Sequence, residues 1–369
     1  MTSIPAPTVD PAVRSALRKG AGRWIASLYR HEVLVARTVR GMQLEAARQW
    51  GRTVVDPLLR TIAGRLATFD ERGAQVAFDL FPQLQALEQD IRRTVASGTE
   101  AVRVLTTERL HELVANEARW VAESAKKVLR VDAARPTDAQ VMAAVDQRPF
   151  LGQRVEGWFQ ETLAKPTGDR ARRLIEVGLQ RGWTTDQITK GLRGSPKTGG
   201  SDGVLSGESV RTVQTIVRTA ATHASAQTRL ESFKALGVAT WRFVATLDSK
   251  TSLQCASLDG KTFPLGQGPV PPLHPNCRST AVPNFGDPSE PMGERASVDG
   301  PVPADLAFPE WLEGQSVAVQ NEVLGKTKAD AWRAGEITIQ QMLGRDLQPL
   351  TIAELRALDI LPNPEDEGG

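Results

Sequence analysis

Residues 241–283 read WRFVATLDSKTSLQCASLDGKTFPLGQGPVPPLHPNCRSTAVP, and this stretch decides the fold. Trp241 to Ala245 alternates in the period-two pattern of a strand. Thr246 to Thr251 carries turn residues, Asp248 among them, and feeds a short helix around Cys255. Asp259-Gly260 is a hairpin-type turn into Lys261–Phe263. The PVPPLHPNC segment is too proline-rich for an internal strand and reads as an ordered loop. Arg278 to Val282 is a final strand. The result is a small α+β unit that concentrates the chain's rare residues. Both cysteines, Cys255 and Cys277, lie in it, as does His274, one of four histidines.

Cys255, His274 and Cys277 form C-x18-H-x2-C. Two soft thiolates and an imidazole suit tetrahedral zinc, and a two-residue gap places His274 and Cys277 on one knuckle. Three ligands are not four. A C-x2-C knuckle would need a cysteine at position 252, which is Ser252. Asp248, His223 or a water would have to complete the shell. Other readings stay open. Free cysteines often serve as small buried hydrophobes. A Cys255–Cys277 disulfide suits an oxidising compartment. A Cys–His nucleophile oriented by Asp248 is the enzymatic reading, but no separate oxyanion-hole signal accompanies it. Asp248 and Asp259 sit in turns, where a carboxylate commonly accepts from nearby backbone N–H groups.

Upstream, the chain reads as helix. Asp10 is an N-cap followed by Pro11 at the first helical position. Val13, Leu17, Trp24 and Leu28 share a face, and the same spacing recurs at Val54, Leu58, Ile62 and Leu66. It continues through Leu80, Leu84, Leu87, Ile91 and Val95, then Leu110, Val114, Val121 and Val128. With breakers at Gly51, Gly73, Pro82 and Gly98, this predicts three or four long helices that bury one another's apolar stripes. Further helices are expected near 137–164 and 168–193, with a break at Pro166-Thr167-Gly168. The phrase RRLIEVGLQRGWTTDQITKGL (172–192) has helix, Gly stop and Thr N-cap in order. DNA-reading helix-turn-helix units share that grammar, but plain helical hairpins are the commoner outcome. The Gly/Ser-rich 194–207 segment lacks the spacing of a phosphate-binding loop and reads as a linker. A helix over 209–236 then leads into Trp241.

Downstream, Pro, Gly, Ser and Asp dominate to about Pro303, and helices are expected at 308–325, 328–335 and 351–358. The chain of 369 residues carries a net charge of only +2, so it is no polycation. The charge is uneven, however: residues 1–50 hold eight lysines and arginines against three acids. Arg14, Arg18, Lys19 and Arg23 open that basic segment, which suits a phosphate backbone or an acidic protein face. A solvated helix face is the commoner origin of such a segment. Two cysteines build no disulfide framework, and no apolar run has signal-peptide or membrane-spanning length. The expected setting is a reducing cytoplasm, or a particle packaged from one.

Four motifs in order give a resemblance: RTAATHASAQTRLESFKALGV (218–238), W-x-F-V-A-T-L-D-S-K-T, C-x2-L-D-G-K-T-F and P-P-L-H-P-N-C-R-S. Together, over about Val210 to Pro283, they resemble the phage Mu F-like head-morphogenesis domain, found in minor head proteins of tailed double-stranded DNA phages. F-x-E-W-L, V-L-G-K-T-K-A-D-A-W-R-A-G-E-I and L-T-I-A-E-L (308–355) resemble the region that follows it. On the family's motif positions fall Arg218, Asp248, Thr251, Cys255, Asp259, Gly260, His274, Pro275, Cys277 and Arg278. Many members carry T-C-x2-C in the first knuckle, and Ser252 departs from that.

The expected fold class is mainly α with a small α+β domain. Its parts are a helical N-terminal region (1–193), a Gly/Ser linker (194–207), the Mu F-like domain (208–283), a second linker (284–303) and a helical C-terminal extension (304–369). The resemblance implies a non-enzymatic minor head protein acting in the virion near the portal, made in the host cytoplasm. Portal and major capsid proteins are the implied partners, with phage DNA as a further one. No membrane and no small-molecule substrate is expected, and no cofactor other than zinc at the triad. The second function class is a toxin-delivery protein or an enzyme using Cys277, His274 and Asp248, and the third is a DNA-binding module. The residues after Pro283 contain none of the usual catalytic clusters, which argues against a toxin payload.

Overall fold

The computed structural model describes residues 11–67, 82–130, 135–285 and 293–362, with the side chains of 11–19, 82 and 83 outside that description. The Asp10 cap, the Val13 and Leu17 stripe positions, Gly73, Leu80 and the acidic tail therefore lie outside the described residues. The described chain is mostly helical with two small antiparallel sheets, as the fold class expected. No helix among the described residues is long and apolar enough to cross a membrane.

Helices α1 (Pro11–Trp50), α2 (Asp56–Ala67), α3 (Pro82–Leu129) and α4 (Asp138–Asp146) come first. They are followed by α5 (Val155–Gly157), α6 (Lys165–Gln180), α7 (Thr185–Arg193) and α8 (Ser209–Ala235). Strand β1 (Thr240–Val244), α9 (Leu253–Leu258), β2 (Thr262–Pro264) and β3 (Thr280–Asn284) make the α+β part. Strands β4 (Glu294–Ser297) and β5 (Gly300–Pro303) precede α10 (Phe308–Glu313), α11 (Val317–Leu324), α12 (Lys326–Arg333) and α13 (Ile352–Ala357). Two compact units result. One comprises Met1–Val35, Val114–Val141 and Thr222–Gly369, the other Ala36–Leu113 and Met142–Ala221.

Among the described residues, the named elements of the second unit are all helices. A π-helical turn, Gly51–Val55, joins the end of α1 to α2 without leaving helical backbone angles. Trp50 is fully buried, and its indole N–H donates to the Leu205 carbonyl at 3.0 Å. Gly98 does not break α3, which runs on through it. Its role is close approach: a Cβ there would lie 2.1 Å from Val54 Cγ2 and 3.2 Å from the Thr53 carbonyl oxygen. Val54 is fully buried and has nowhere to move. Gly98→Ala should therefore destabilise by about 1–3 kcal/mol through overpacking, despite alanine's better helix propensity. Gly41→Ala, at an exposed α1 position with open space around it, should instead stabilise by about 0.5–1 kcal/mol. Urea unfolding of the two variants tests the contrast.

The break expected at 166–168 is not there. Val155 to Gln180 is continuous helix, with a π-helical stretch (Trp158–Ala164) immediately before Pro166. The Lys165 N–H reaches back five residues to Gln160, and this wider register removes the usual objection to a proline. The interruption falls earlier, at 147–154, where Phe150 and Gln153 exchange two hydrogen bonds around Leu151 and Gly152 at positive φ. The 194–207 segment is a compact turn rather than an extended spacer: the Asp202 carboxylate accepts from the Ser195 N–H at 2.8 Å and from the Thr198 hydroxyl at 2.5 Å. The phrase at 172–192 becomes α6 and α7, a helical hairpin closed by a Thr184–Gln187 capping box.

In the first unit the sheet order is β2-β1-β3, all antiparallel, with Trp241 paired to Phe263 on one side and Pro283 on the other. Its core joins Trp24 and Leu28 of α1, Val121 and Ala125 of α3, Phe233 of α8, Trp241 and Phe243 of β1, and both cysteines. A second core gathers Phe308, Trp311, Leu324, Ile337 and Leu355 of the C-terminal segment against Leu253 and Ala256 of α9. All six residues of α9 are buried, so this short helix is shared between the two cores. Within 284–303, expected as a linker, β4 and β5 pair as a hairpin around Val298 and Asp299. The E-R-A-S-V-D-G pattern, a short run into Asp-Gly, is a hairpin signal that composition alone obscured.

Candidate functional site

The site is assembled by α9 and the loop between β2 and β3. Ser252, with extended backbone angles, is the N-cap of α9, and its hydroxyl accepts from the Cys255 N–H at 3.3 Å. That cap fixes Cys255 in the first turn, facing the core. Across from it, the loop contains a cis Pro271–Pro272 bond and turns sharply at Asn276, whose φ is +63°. The Cys277 N–H donates to the His274 carbonyl at 3.2 Å, which forms the knuckle. The Thr222 hydroxyl of α8 donates to the Cys277 carbonyl at 2.8 Å and anchors the loop.

The three sequence-predicted donors come together. Cys255 Sγ lies 3.3 Å from His274 Nε2 and 3.7 Å from Cys277 Sγ. Among the described residues, these three are the group of His, Cys, Asp and Glu side chains placed to hold a metal ion. A zinc ion with ~2.3 Å bonds to sulfur and ~2.0–2.1 Å bonds to nitrogen has tetrahedral edges of ~3.8 Å and ~3.6 Å. The observed separations agree with those edges to within ~0.3 Å, so the donor set fits such an ion. His274 Nδ1 lies 2.8 Å from the Pro275 carbonyl oxygen. A carbonyl only accepts, so Nδ1 carries a proton and Nε2 is the nitrogen turned to the sulfurs.

Protonation within the triad is uneven. The hydrogen bond from Cys255, followed by that of His274, holds the Cys277 thiol well below the ordinary thiol range despite its burial. Cys255 is pushed up, by its hydrogen bond to Cys277 and by burial. The Cys277 sulfur in turn raises His274. One sulfur is thus already thiolate-like, the form in which cysteine ligates metals.

The remaining motif residues support this frame. Arg278 grips both carboxylate oxygens of Asp248, Nη2 to Oδ1 at 2.7 Å, and Asp248 also accepts from the Lys250 N–H at 2.9 Å. Against the cost of burial, Arg278 keeps Asp248 below the usual carboxylate range. The Thr251 hydroxyl donates to the Thr246 carbonyl and Gly260, at φ +79°, makes the turn into β2. Arg218 stands apart on α8 and donates to Gln43 Oε1 at 3.0 Å. Arg23 is exposed on α1, whereas the side chains of Arg14, Arg18 and Lys19 lie outside the described residues.

Asp248 is committed to Arg278 while His274 Nδ1 is committed to Pro275. The Cys277–His274–Asp248 relay of the enzymatic reading is therefore not assembled. The sulfurs, at 3.7 Å, are far outside the ~2.05 Å of a disulfide bond, and both cysteines are free.

The sequence reading missed two buried charge clusters. Asp259 accepts from the Ala245 N–H at 2.7 Å, the Phe308 N–H at 2.8 Å and two nitrogens of Arg295 at 2.9 and 3.1 Å. Arg295 also donates to the carbonyls of Ala245 and Leu306. The other cluster joins Arg229 of α8 to Glu117 of α3, Glu32 of α1 and Thr280 of β3. Single charged residues on separate elements leave no spacing signal.

A model of the family described as Phage Mu protein F like protein matches residues 169–282. That stretch belongs to the phage Mu F-like family. The match begins about forty residues before Val210, so the Mu F-like region takes in α6 and α7 as well as the α+β part. It encloses the Cys255, His274 and Cys277 triad and supports a role in phage head morphogenesis. No curated protein and no solved structure gives a significant match.

Proposed function

We propose that this protein is a non-enzymatic minor head protein that acts in procapsid assembly near the portal vertex and is retained in the virion. The observation that carries the reading is the family match over 169–282, which encloses a complete triad. The missing catalytic relay, with Asp248 and His274 each engaged elsewhere, favours a structural role for that triad over a catalytic one. The recess beside it, lined by Thr246, Ser252, Cys255, His274 and Arg278, has room for about one water-sized group, far less than a small-molecule pocket. Portal and major capsid proteins are the proposed partners. The basic first segment, Arg14 to Arg23, is proposed to meet phage DNA or an acidic protein face.

Cys255, His274 and Cys277 would hold zinc, whose chemistry here would be to cross-link the β2–β3 loop to α9. Cys277→Ser should abolish stoichiometric zinc in the purified protein and lower its melting temperature by several degrees, as structural zinc adds folding free energy. Equal metal content in the variant and the parent would remove the zinc reading. The function itself is tested by mass spectrometry of procapsids and virions: the protein is expected in both, and its absence from both would sink the proposal.

A further inference from the structure

Resting on the metal-binding reading above, we infer that the triad holds its ion with an exchangeable fourth ligand taken from solution, a water molecule that a small anion can displace. A closed shell of four protein donors is not what this chain builds. Each nearby alternative is already engaged. The Ser252 hydroxyl, at the place where a cysteine would complete the knuckle, accepts the Cys255 N–H as the α9 cap. The Asp248 carboxylate is held on both oxygens by Arg278. His223 is buried on α8 and does not belong to the group of side chains close enough to share an ion.

Two of the three donors, Cys255 and His274, line the recess beside the site. Its remaining wall includes Thr246, Ser252, Asn276 and Ser279, together with Lys250 and Arg278, which are paired with Glu322 and Asp248. Two thiolates neutralise a divalent ion, and Glu322 and Asp248 offset the two wall cations, so a ligand entering from this side meets a neutral centre in a polar wall. A water molecule, or a small ligand that displaces it, fits a polar recess with room for about one water-sized group. Three protein ligands with an open position are also the arrangement in which zinc exchanges its fourth ligand, whereas four protein ligands seal it.

The test uses the full chain loaded with cobalt(II), which reports coordination through its visible spectrum, and azide as the probe. Cobalt uptake with thiolate charge-transfer bands is expected, and azide should shift the d–d bands saturably. Ser252→Cys should raise cobalt affinity at least about ten-fold and abolish the response to azide. A cobalt spectrum that azide does not move would overturn the inference while leaving the metal site standing. So would Ser252→Ala if it weakened cobalt binding about ten-fold, because Ser252 would then be the fourth ligand. Failure of the parent protein to take up cobalt would instead overturn the metal reading itself.

Discussion

Arg229→Met should destabilise the first unit by about 3–5 kcal/mol, the usual cost of breaking a buried ion pair from one side. Arg229 is fully buried, and its guanidinium pairs with Glu117 and Glu32 and donates to Thr280. Glu117 is equally enclosed, with His31 Nε2 2.8 Å from its second oxygen and the His31 ring stacked on Trp120 at 3.7 Å. Methionine fills much of the space but leaves the Glu117 charge with only His31 to answer it. The double variant Arg229→Met/Glu117→Leu should recover much of the loss, because replacing both partners removes the stranded charge. Chemical denaturation of the two variants and the parent checks this, and equal losses in both would show that packing rather than charge is at stake.

The same pair sets an acid limb. Burial opposes ionisation of Glu117, but Arg229 and His31 hold its carboxyl down to about 2, against an ordinary value of 4.5. The folded value is depressed, so the stability it confers is present above about pH 4.5 and is lost as pH falls towards 2. The linked free energy is on the order of a few kcal/mol. Thermal melts from pH 7 down to pH 2 should show this limb in the parent. With Arg229→Met, the limb should begin at higher pH, because the carboxyl is no longer held down.

Asp259→Ala should be comparably damaging, at about 3–5 kcal/mol, and local in its effect. The Asp259 side chain is fully buried, and that of Arg295 is 4% exposed. One carboxylate ties the end of β1, through Ala245, to the first turn of α10, through Phe308, and neutralises the arginine that reaches in from β4. Without it, two backbone N–H groups and a buried cation lose their acceptor together. The C-terminal helices rest on α9 through an apolar cluster that starts at Phe308. Hydrogen exchange in Asp259→Ala should therefore accelerate first across α10 to α12. Uniform acceleration through β1 and β3 as well would show that Asp259 supports the whole unit rather than this junction.

Much of this was readable from the chain. The period-two run at Trp241, the Asp259-Gly260 turn and the proline loop before Cys277 each act locally, so their structure follows from their own residues. The triad was legible because C-x18-H-x2-C is a short-range pattern whose ends a hairpin can bring together. Local propensity makes Pro166 and Gly98 helix breakers, yet in the structure neither interrupts its helix. A π-helical register absorbs the proline, and Gly98 is dictated by Val54 pressing on it from another helix.

By itself, the sequence determined the helical stripes, the small α+β unit, the three metal-type donors and the family to which they point. Only the tertiary structure decided what each polar group is spent on. It assigns Ser252 to the cap of α9, Asp248 to Arg278, and Asp259 to Arg295 and two backbone amides. It also sets Arg229 among acids from two other helices. Hydrogen bonds and ion pairs act over about 3 Å, whereas Arg229 and Glu117, for example, stand 112 residues apart in the chain. Their pairing depends on how the elements pack, and no local pattern records it.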